Sequence, residues 1–417
     1  MLWCLILGGQ RQRSDAVLNR GALKPITGAR FRANPAYEIV LLDRLPYALR
    51  EEIEGHGGKD SDTYGVLLPR LTGGLTPKTI CHETALLFYS MAQPGPLPAY
   101  VHERLGAECN QAVAELVLDG VLEIADEDGT FRSGGGAEGL VYHADALELG
   151  TGSVSDLSRE ALRYGQLVPV DSSARLANRL YCYNTIPISP RWRARLPSTD
   201  AVERFLAMET GTSLRHLLSA HWELFTDPAT TGGWWRWRRL MSRGGPTPSV
   251  IDPTYKLYVS PAPEALPQVW PTIVRLLADL GAPAFKIGQD VMGLLRPDKI
   301  VVYFASFEDL ARLGRELASE LVDCPAQGTP FTAAIGESGL LSWGMDPPAG
   351  NGTPQSSRHQ SWRSWVTQRL AVALMAARQE VHGIEPWRFA LQRMALEGVD
   401  VRTWAPSPRI WTRARSA

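Results

Sequence analysis

Lysine is scarce in this chain, with six against 37 arginines among 417 residues. A charge that has only to be positive is supplied by arginine, so each lysine stands out as an exception. Cysteine is scarce too. The five, Cys4, Cys81, Cys109, Cys182 and Cys324, are odd in number, far apart and without CxxC spacing, which argues against a disulfide framework or a zinc site and for a reducing cytoplasm. Long apolar runs are missing: the opening MLWCLILGG is too short to cross a bilayer and has no basic residues ahead of it, so it reads as a frayed start and not as a signal peptide. Net charge is −1, which gives no global sign of nucleic-acid or membrane-surface binding. No GxxxxGK[ST], HRD, DFG or GxSxG is present, which disfavours phosphate-loop ATPases, protein kinases and the usual serine hydrolases. His82 follows Cys81 in ICHET without a second ligand at helical spacing, so no metal is expected, nor any organic cofactor.

What remains is an ordinary soluble composition, 44% hydrophobic and 21% charged, in a chain long enough for two or three domains. Residues 1–35 carry Arg, Gly and Pro without periodicity and read as a flexible tail. Over 36–150, the helical patterns ICHETALLFYSM and HERLGAECNQAVAELVLDG precede VLEIADEDGTFRSG, which alternates about an Asp-Gly turn as a β-hairpin does. Helices followed by a hairpin read as a winged-helix-like module, which either binds a peptide or partner or simply packs. Residues 151–250 read as helical with interruptions, in LSREALRYGQLV, ARLANRLYCYN, AVERFLAMET and SLRHLLSAHWELF. In GGWWRWRRL, Trp234, Trp235 and Trp237 sit beside Arg236, Arg238 and Arg239; a helix packing its indoles inward under arginine stems is expected over a base- or peptide-stacking clamp. RGGPTPSVIDP then ends regular structure and sets a boundary near 250.

From 251 to 417 the pattern becomes an α+β layer. YKLYVSP, PAFKIG and KIVVYF read as strands. PEALPQVWPTIVRLLADLG reads as a helix with Leu266, Trp270, Ile273, Leu277 and Leu280 on one face, and SFEDLARLGRELASELVD as a helix capped by Ser306. TPFTAAIG reads as a further strand, SGLLSWGMDPPAGNGTPQSS as a loop, and two helices close the chain, the last running from Pro386 to Gly398. From Ser356 onward ten arginines stand against four acidic residues, which suits an anionic ligand or partner. The fold class is α+β, with helical N-terminal and middle regions ahead of this last domain.

Three of the six lysines, Lys256, Lys286 and Lys299, fall within 44 residues, each in or beside an apolar strand. Strand alternation can send them to the side opposite their hydrophobic neighbours, where they would converge in one cleft; alternatively they guard edge strands against aggregation. If they converge, each ammonium destabilises the charge on the next, and desolvation acts in the same direction. A lysine brought to a pKa of about 8 is neutral roughly a tenth of the time at pH 7 and serves as a general base, which arginine cannot do. The remaining cations, Lys256 or Lys299 with Arg296, would hold an anion. A base beside a phosphate site points to proton abstraction next to a phosphorylated carbon.

On the segments YKLYVSP, AFKIG, GLLRPDKIVVYF, GTPFTAAI, LLSWGMDPP and SWRSWVTQRLAVALMAAR, about a third of the chain resembles the Hop A-type family. That family is named for a type III secretion effector and is found also in actinobacterial gene clusters for ribosomally made, post-translationally modified peptides. The resemblance implies a role in lanthipeptide-type maturation beside a separate kinase-like protein. It also implies a C-terminal domain with a catalytic logic similar to that of phosphothreonine lyases, which eliminate phosphate from phosphorylated Ser or Thr to leave a dehydroamino acid. Those lyases carry Lys-x-His on one strand, a base lysine on a later one, then Arg and Tyr; Lys256, Lys286, Arg296 and Tyr303 match that order. Lys286 is then the base, with Lys256, Arg296 and Lys299 as phosphate ligands and Arg363 and Arg369 as further ones on the penultimate helix. Tyr258 stands where those lyases have an acid histidine. Either a phenol, Tyr258 or Tyr303, assists departure, or phosphate leaves helped by cations alone, or the catalytic role has been lost. The expected activity is elimination of phosphate from a phosphorylated precursor peptide, in a hetero-complex with the kinase that supplies it and without cofactor, nucleic acid or membrane. The alternative is a non-catalytic adaptor that binds a phosphorylated or leader peptide and recruits a kinase or cyclase; an effector that remodels a host partner is a third.

Overall fold

The computed structural model describes residues 4–5, 23–47, 50, 63–70, 77–143, 149–225, 233–240, 255–347, 360–378 and 384–406. The expected boundary run RGGPTPSVIDP lies outside them, as do much of the expected 1–35 tail and most of PPAGNGTPQSS. No helix among the described residues is long and apolar enough to cross a membrane.

The described residues build two large cores, with a small satellite at Leu45 and Val66. The first begins with strands β1 (Cys4–Leu5), β2 (Phe31–Ala33), β3 (Tyr37–Leu41), β4 (Thr63–Pro69) and β5 (Lys78–Cys81), then helices α1 (His82–Ser90), α2 (Ala99–Leu105) and α3 (Cys109–Leu118), then the hairpin β6 (Leu122–Ala125) and β7 (Phe131–Arg132). Four of these strands form a sheet in the order β1-β5-β4-β3, and β2 adds to the hairpin as a third strand. Residues 31–33, expected within a loose tail, are thus paired, because Phe31 is fully buried and a strand satisfies its backbone at the same time. Helices α4 (Ser153–Leu167) and α5 (Ser173–Tyr181) complete the first half of this core.

The second core surrounds a seven-stranded antiparallel sheet. Short helices α6 (Pro190–Arg195), α7 (Thr199–Phe205) and α8 (Ser213–His221) lead into β8 (Trp222–Phe225) and β9 (Trp234–Arg239). There follow β10 (Tyr255–Val259), α9 (Leu266–Asp279), β11 (Ala284–Gly288), α10 (Val291–Leu294), β12 (Ile300–Phe304), α11 (Phe307–Glu320), β13 (Ala333–Ile335) and β14 (Leu341–Met345). The strand order is β13-β14-β10-β12-β11-β9-β8. On one face Leu257, Val259, Phe285, Ile287, Ile300 and Val302 meet the apolar stripes of α9 and α11, through Trp270, Ile273, Leu277, Leu310, Leu313 and Leu317. Ser306 caps α11, its side chain accepting from the amides of Glu308 and Asp309, as S-x-x-D reads in sequence.

Three sequence expectations change here. Trp234–Arg239 is a strand and not a helix: Trp235 and Trp237 point into the core, and Trp237 stacks on Phe285 at a centroid distance of 6.2 Å. Trp222–Phe225 is a strand and not the end of a helix. Leu341–Met345, expected in a loop, is the strand paired with β10. The sheet therefore starts upstream of residue 250. The closing helices α12 (Trp362–Ala377) and α13 (Pro386–Leu396) leave it again: their Trp362, Leu370, Leu374, Trp387 and Phe389 join the first core with Val113, Leu162 and Leu176. A division at 250 follows neither core.

Gly344 is one place where the two cores touch. A Cβ there would overlap the indole of Trp362, and that indole is fully buried and donates to Phe331 O at 3.0 Å. Gly344→Val is expected to cost about 1–3 kcal/mol by overpacking, read as a lower denaturation midpoint at unchanged slope.

Candidate active site

Directly paired residues on neighbouring strands share a face of a sheet, so the register fixes what lies on the side away from α9 and α11. Lys256 pairs with Tyr303, and Lys286 with both Val301 and Arg236. Tyr258, two residues on from Lys256, belongs to the same face. Lys256 and Lys286 stand on β10 and β11, which are internal strands, so neither guards an edge. The apolar residues between them serve the core, and alternation delivers the polar ones to the other side.

Lys286 is partly buried. Its ammonium lies 3.9 Å from the centroid of the Trp234 ring and takes no hydrogen bond or ion pair among the described residues. Burial pushes its pKa down to about 7; Asp298 opposes this, while Lys256, Arg296 and Arg236 add like charge. At that value about half the amines are neutral at pH 7.

Lys256 is buried beside it on the face, and its environment differs. Its ammonium pairs with Asp346 Oδ1 at 2.6 Å and lies 5.5 Å from the Tyr303 ring centroid. Asp346 follows directly on β14, the partner strand of β10. Burial raises the Asp346 pKa, and Lys256 offsets part of that rise.

Arg296, just past α10, forks onto Asp298 through Nε at 2.8 Å and Nη2 at 2.9 Å. Its guanidinium lies 5.4 Å from the Trp234 ring centroid and 5.3 Å from that of Tyr181. Asp298 also meets Arg363 Nη1 at 3.0 Å and accepts from the Tyr181 hydroxyl at 3.2 Å. Burial alone would raise this carboxyl, but Arg363 and Arg296 outweigh it and hold the group well below the usual carboxylate range.

Several expected roles do not survive this geometry. Arg363 is 1% exposed, and its guanidinium is taken up by Pro330 O, Tyr181 O and Asp298, so it anchors Asp298 and offers no fork to a phosphate. Lys299, wholly buried, donates to Pro261 O at 2.9 Å and to Gln327 Oε1, tying two loops together. Arg369 pairs with Glu397 and stacks 3.7 Å from the Trp365 ring centroid, as part of the first core. Burial raises the Tyr258 hydroxyl well above the phenol range, and raises Tyr303 likewise. Phenols so shifted are poor proton donors to a departing phosphate, though they still donate hydrogen bonds.

The sequence reading assigned no role to Asp298, Asp346 or Tyr181, and it took Trp234 and Arg236 for part of a packing helix. Two signals were available: Asp298 sits between Arg296 and Lys299 in RPDK, and Asp346 interrupts the apolar LLSWGM with a charge.

No family model matches the chain, nor does any curated protein sequence. Among solved structures it is similar to an effector protein from Pseudomonas syringae pv. tomato, at 13% identity over 61% of this chain and 98% of that one, with a TM-score of 0.35. It is similar also to the type III effector/phosphothreonine lyase OspF from Shigella flexneri, at 14% identity over 32% and 76% of the two chains, TM-score 0.25. A third is the Salmonella plasmid virulence C protein, at 13% identity over 51% and 99%, TM-score 0.25. At that distance none of them assigns a chemistry to this chain.

Proposed function

We propose that this chain is a carbon-oxygen lyase that eliminates phosphate from phosphorylated Ser or Thr in a precursor peptide, leaving a dehydroamino acid in a lanthipeptide-type maturation. The observation that carries this reading is the Lys286 amine, set against an indole among like charges and brought to about pKa 7. An amine in that state removes a proton from carbon α to a carbonyl, as general bases poised near the working pH do. Lys256, Arg296 and Arg236 supply positive charge toward the same place, and they would hold the phosphate and stabilise it as it leaves. In the elimination, Lys286 takes the Cα proton, the freed electron pair forms the Cα=Cβ bond, and the Cβ–O bond breaks with its pair going to phosphate. A separate kinase-like protein would supply the phosphate, and the first core's N-terminal part would engage that partner or the leader segment of the precursor.

The test is direct. Incubation of the full chain with a phosphoserine peptide is expected to remove phosphoric acid, read by mass spectrometry. Binding without a mass change would instead make the protein an adaptor, and a product bearing a free hydroxyl would make it a phosphatase; either overturns the proposal.

A further inference from the structure

Elimination of a phosphate dianion needs a proton for the leaving oxygen as well as a base for carbon. Neither phenol on the face is suited to donate it, and no histidine stands two residues after Lys256. Two lysines do share that face, in contrasting surroundings. Among the described residues Lys286 has an aromatic ring beneath it and no carboxylate in contact, whereas Lys256 has Asp346 at 2.6 Å. Pairs of like groups whose environments favour opposite protonation states are the usual mark of a divided acid and base.

Building on the lyase reading above, we propose that Lys256, ion-paired with Asp346, is the general acid of the reaction, and that Asp346 is the positioning residue which assigns the two lysines their separate roles. The groups around Lys256 are consistent with this division. Asp346 comes from the end of β14, Tyr303 from β12, Tyr258 from its own strand and Lys286 from β11, and Asp346 is the one carboxylate among these. β12 runs between the two lysine strands, with Lys256 opposite Tyr303 and Lys286 opposite Val301 two residues along, so the lysine backbones lie about 12 Å apart on one face, a span within which two long side chains can flank a Cα–Cβ–O unit. The proton balance closes within the site. Lys286 gains a proton from Cα, Lys256 gives one to the bridging oxygen as the Cβ–O bond breaks, and the products are the dehydroamino acid and hydrogen phosphate. Transfer of one proton from Lys286 to Lys256 then restores the starting state, without an external acid.

The assignment makes a prediction that no structural role for Asp346 shares. A leaving group that needs no proton bypasses the acid but still needs the base. Wild type, Asp346→Asn, Asp346→Glu, Lys256→Met and Lys286→Met are each assayed with a phosphoserine peptide and with the same peptide carrying β-chloroalanine in its place. Asp346→Asn and Lys256→Met are expected to lose about 100-fold or more in kcat on phosphoserine, the scale of general acid catalysis. On β-chloroalanine they should keep rates within a few-fold of wild type, Asp346→Glu should recover part of the phosphoserine rate, and Lys286→Met should fail on both substrates. Equal losses on the two substrates in Asp346→Asn would overturn the acid assignment while leaving the lyase reading intact. A wild-type protein inert toward both peptides would remove the two together.

Discussion

Lys286→Arg is expected to lower kcat for a phosphoserine peptide by about 10²- to 10⁴-fold, the range that a general base contributes, while changing the affinity for that peptide little. Arginine keeps the positive charge and much of the reach of lysine, so the electrostatic attraction for phosphate persists; what it cannot do is give up its proton near neutral pH. The pH dependence supplies an independent check. The proposed elimination requires the neutral amine, and the Lys286 pKa lies at about 7, so kcat/KM for the wild type should rise with pH and reach half its plateau near 7. A limb centred near the ordinary lysine value of about 10.4 would mean that the amine is not shifted in the working protein, and would leave the elimination without its base.

Removal of the Asp298 carboxylate should produce the largest loss of stability, about 3–5 kcal/mol for Asp298→Ala. The side chain is 2% exposed and is shared by Arg296, Arg363 and the Tyr181 hydroxyl. Truncation leaves Arg363, itself buried, without its carboxylate, and an uncompensated buried cation costs more than the ion pair contributed. Chemical denaturation measures the effect, and a change under 1 kcal/mol would contradict it. The variant should also shift the activity profile. Asp298 favours the charged form of Lys286, so its loss lowers that pKa further and moves the ascending limb to more acid pH. The direction matters here: simple damage to the site would lower the plateau and leave the midpoint unmoved.

The parts of this architecture that sequence disclosed are those in which a single local period carries the message. YKLYV, AFKIG and IVVYF alternate about their polar residues and become β10, β11 and β12; Leu266, Trp270, Ile273 and Leu277 recur at helical spacing and become the buried stripe of α9. WWRWRR hid its alternation because tryptophan and arginine both join an apolar body to a polar tip, so a split into hydrophobic and polar residues does not register the period of two. Placement of the two lysines on one face was legible from the alternation, but their carboxylate partners were not. Asp346 reaches Lys256 only through the β10–β14 pairing, and Asp298 meets Arg363 only when a helix of the other core packs against the sheet. For the same reason sequence could not separate Arg296, whose side chain stays partly exposed, from Arg363 and Arg369, whose charges are absorbed by the interior. An arginine on a helix reads alike in both circumstances until its neighbours from elsewhere in the chain are known.

The helices α12 and α13 complete a core whose other walls come mostly from before residue 181, with the whole seven-stranded sheet inserted between and Phe331 reaching across from it. During synthesis the inserted sheet can finish folding first, since all its strands and covering helices emerge together. The flanking core has to wait, with its apolar surfaces exposed, until Pro386–Leu396 has left the ribosome. A nascent chain in which those helices have not yet emerged would therefore carry a finished sheet whose Asp298 still lacks its Arg363 partner.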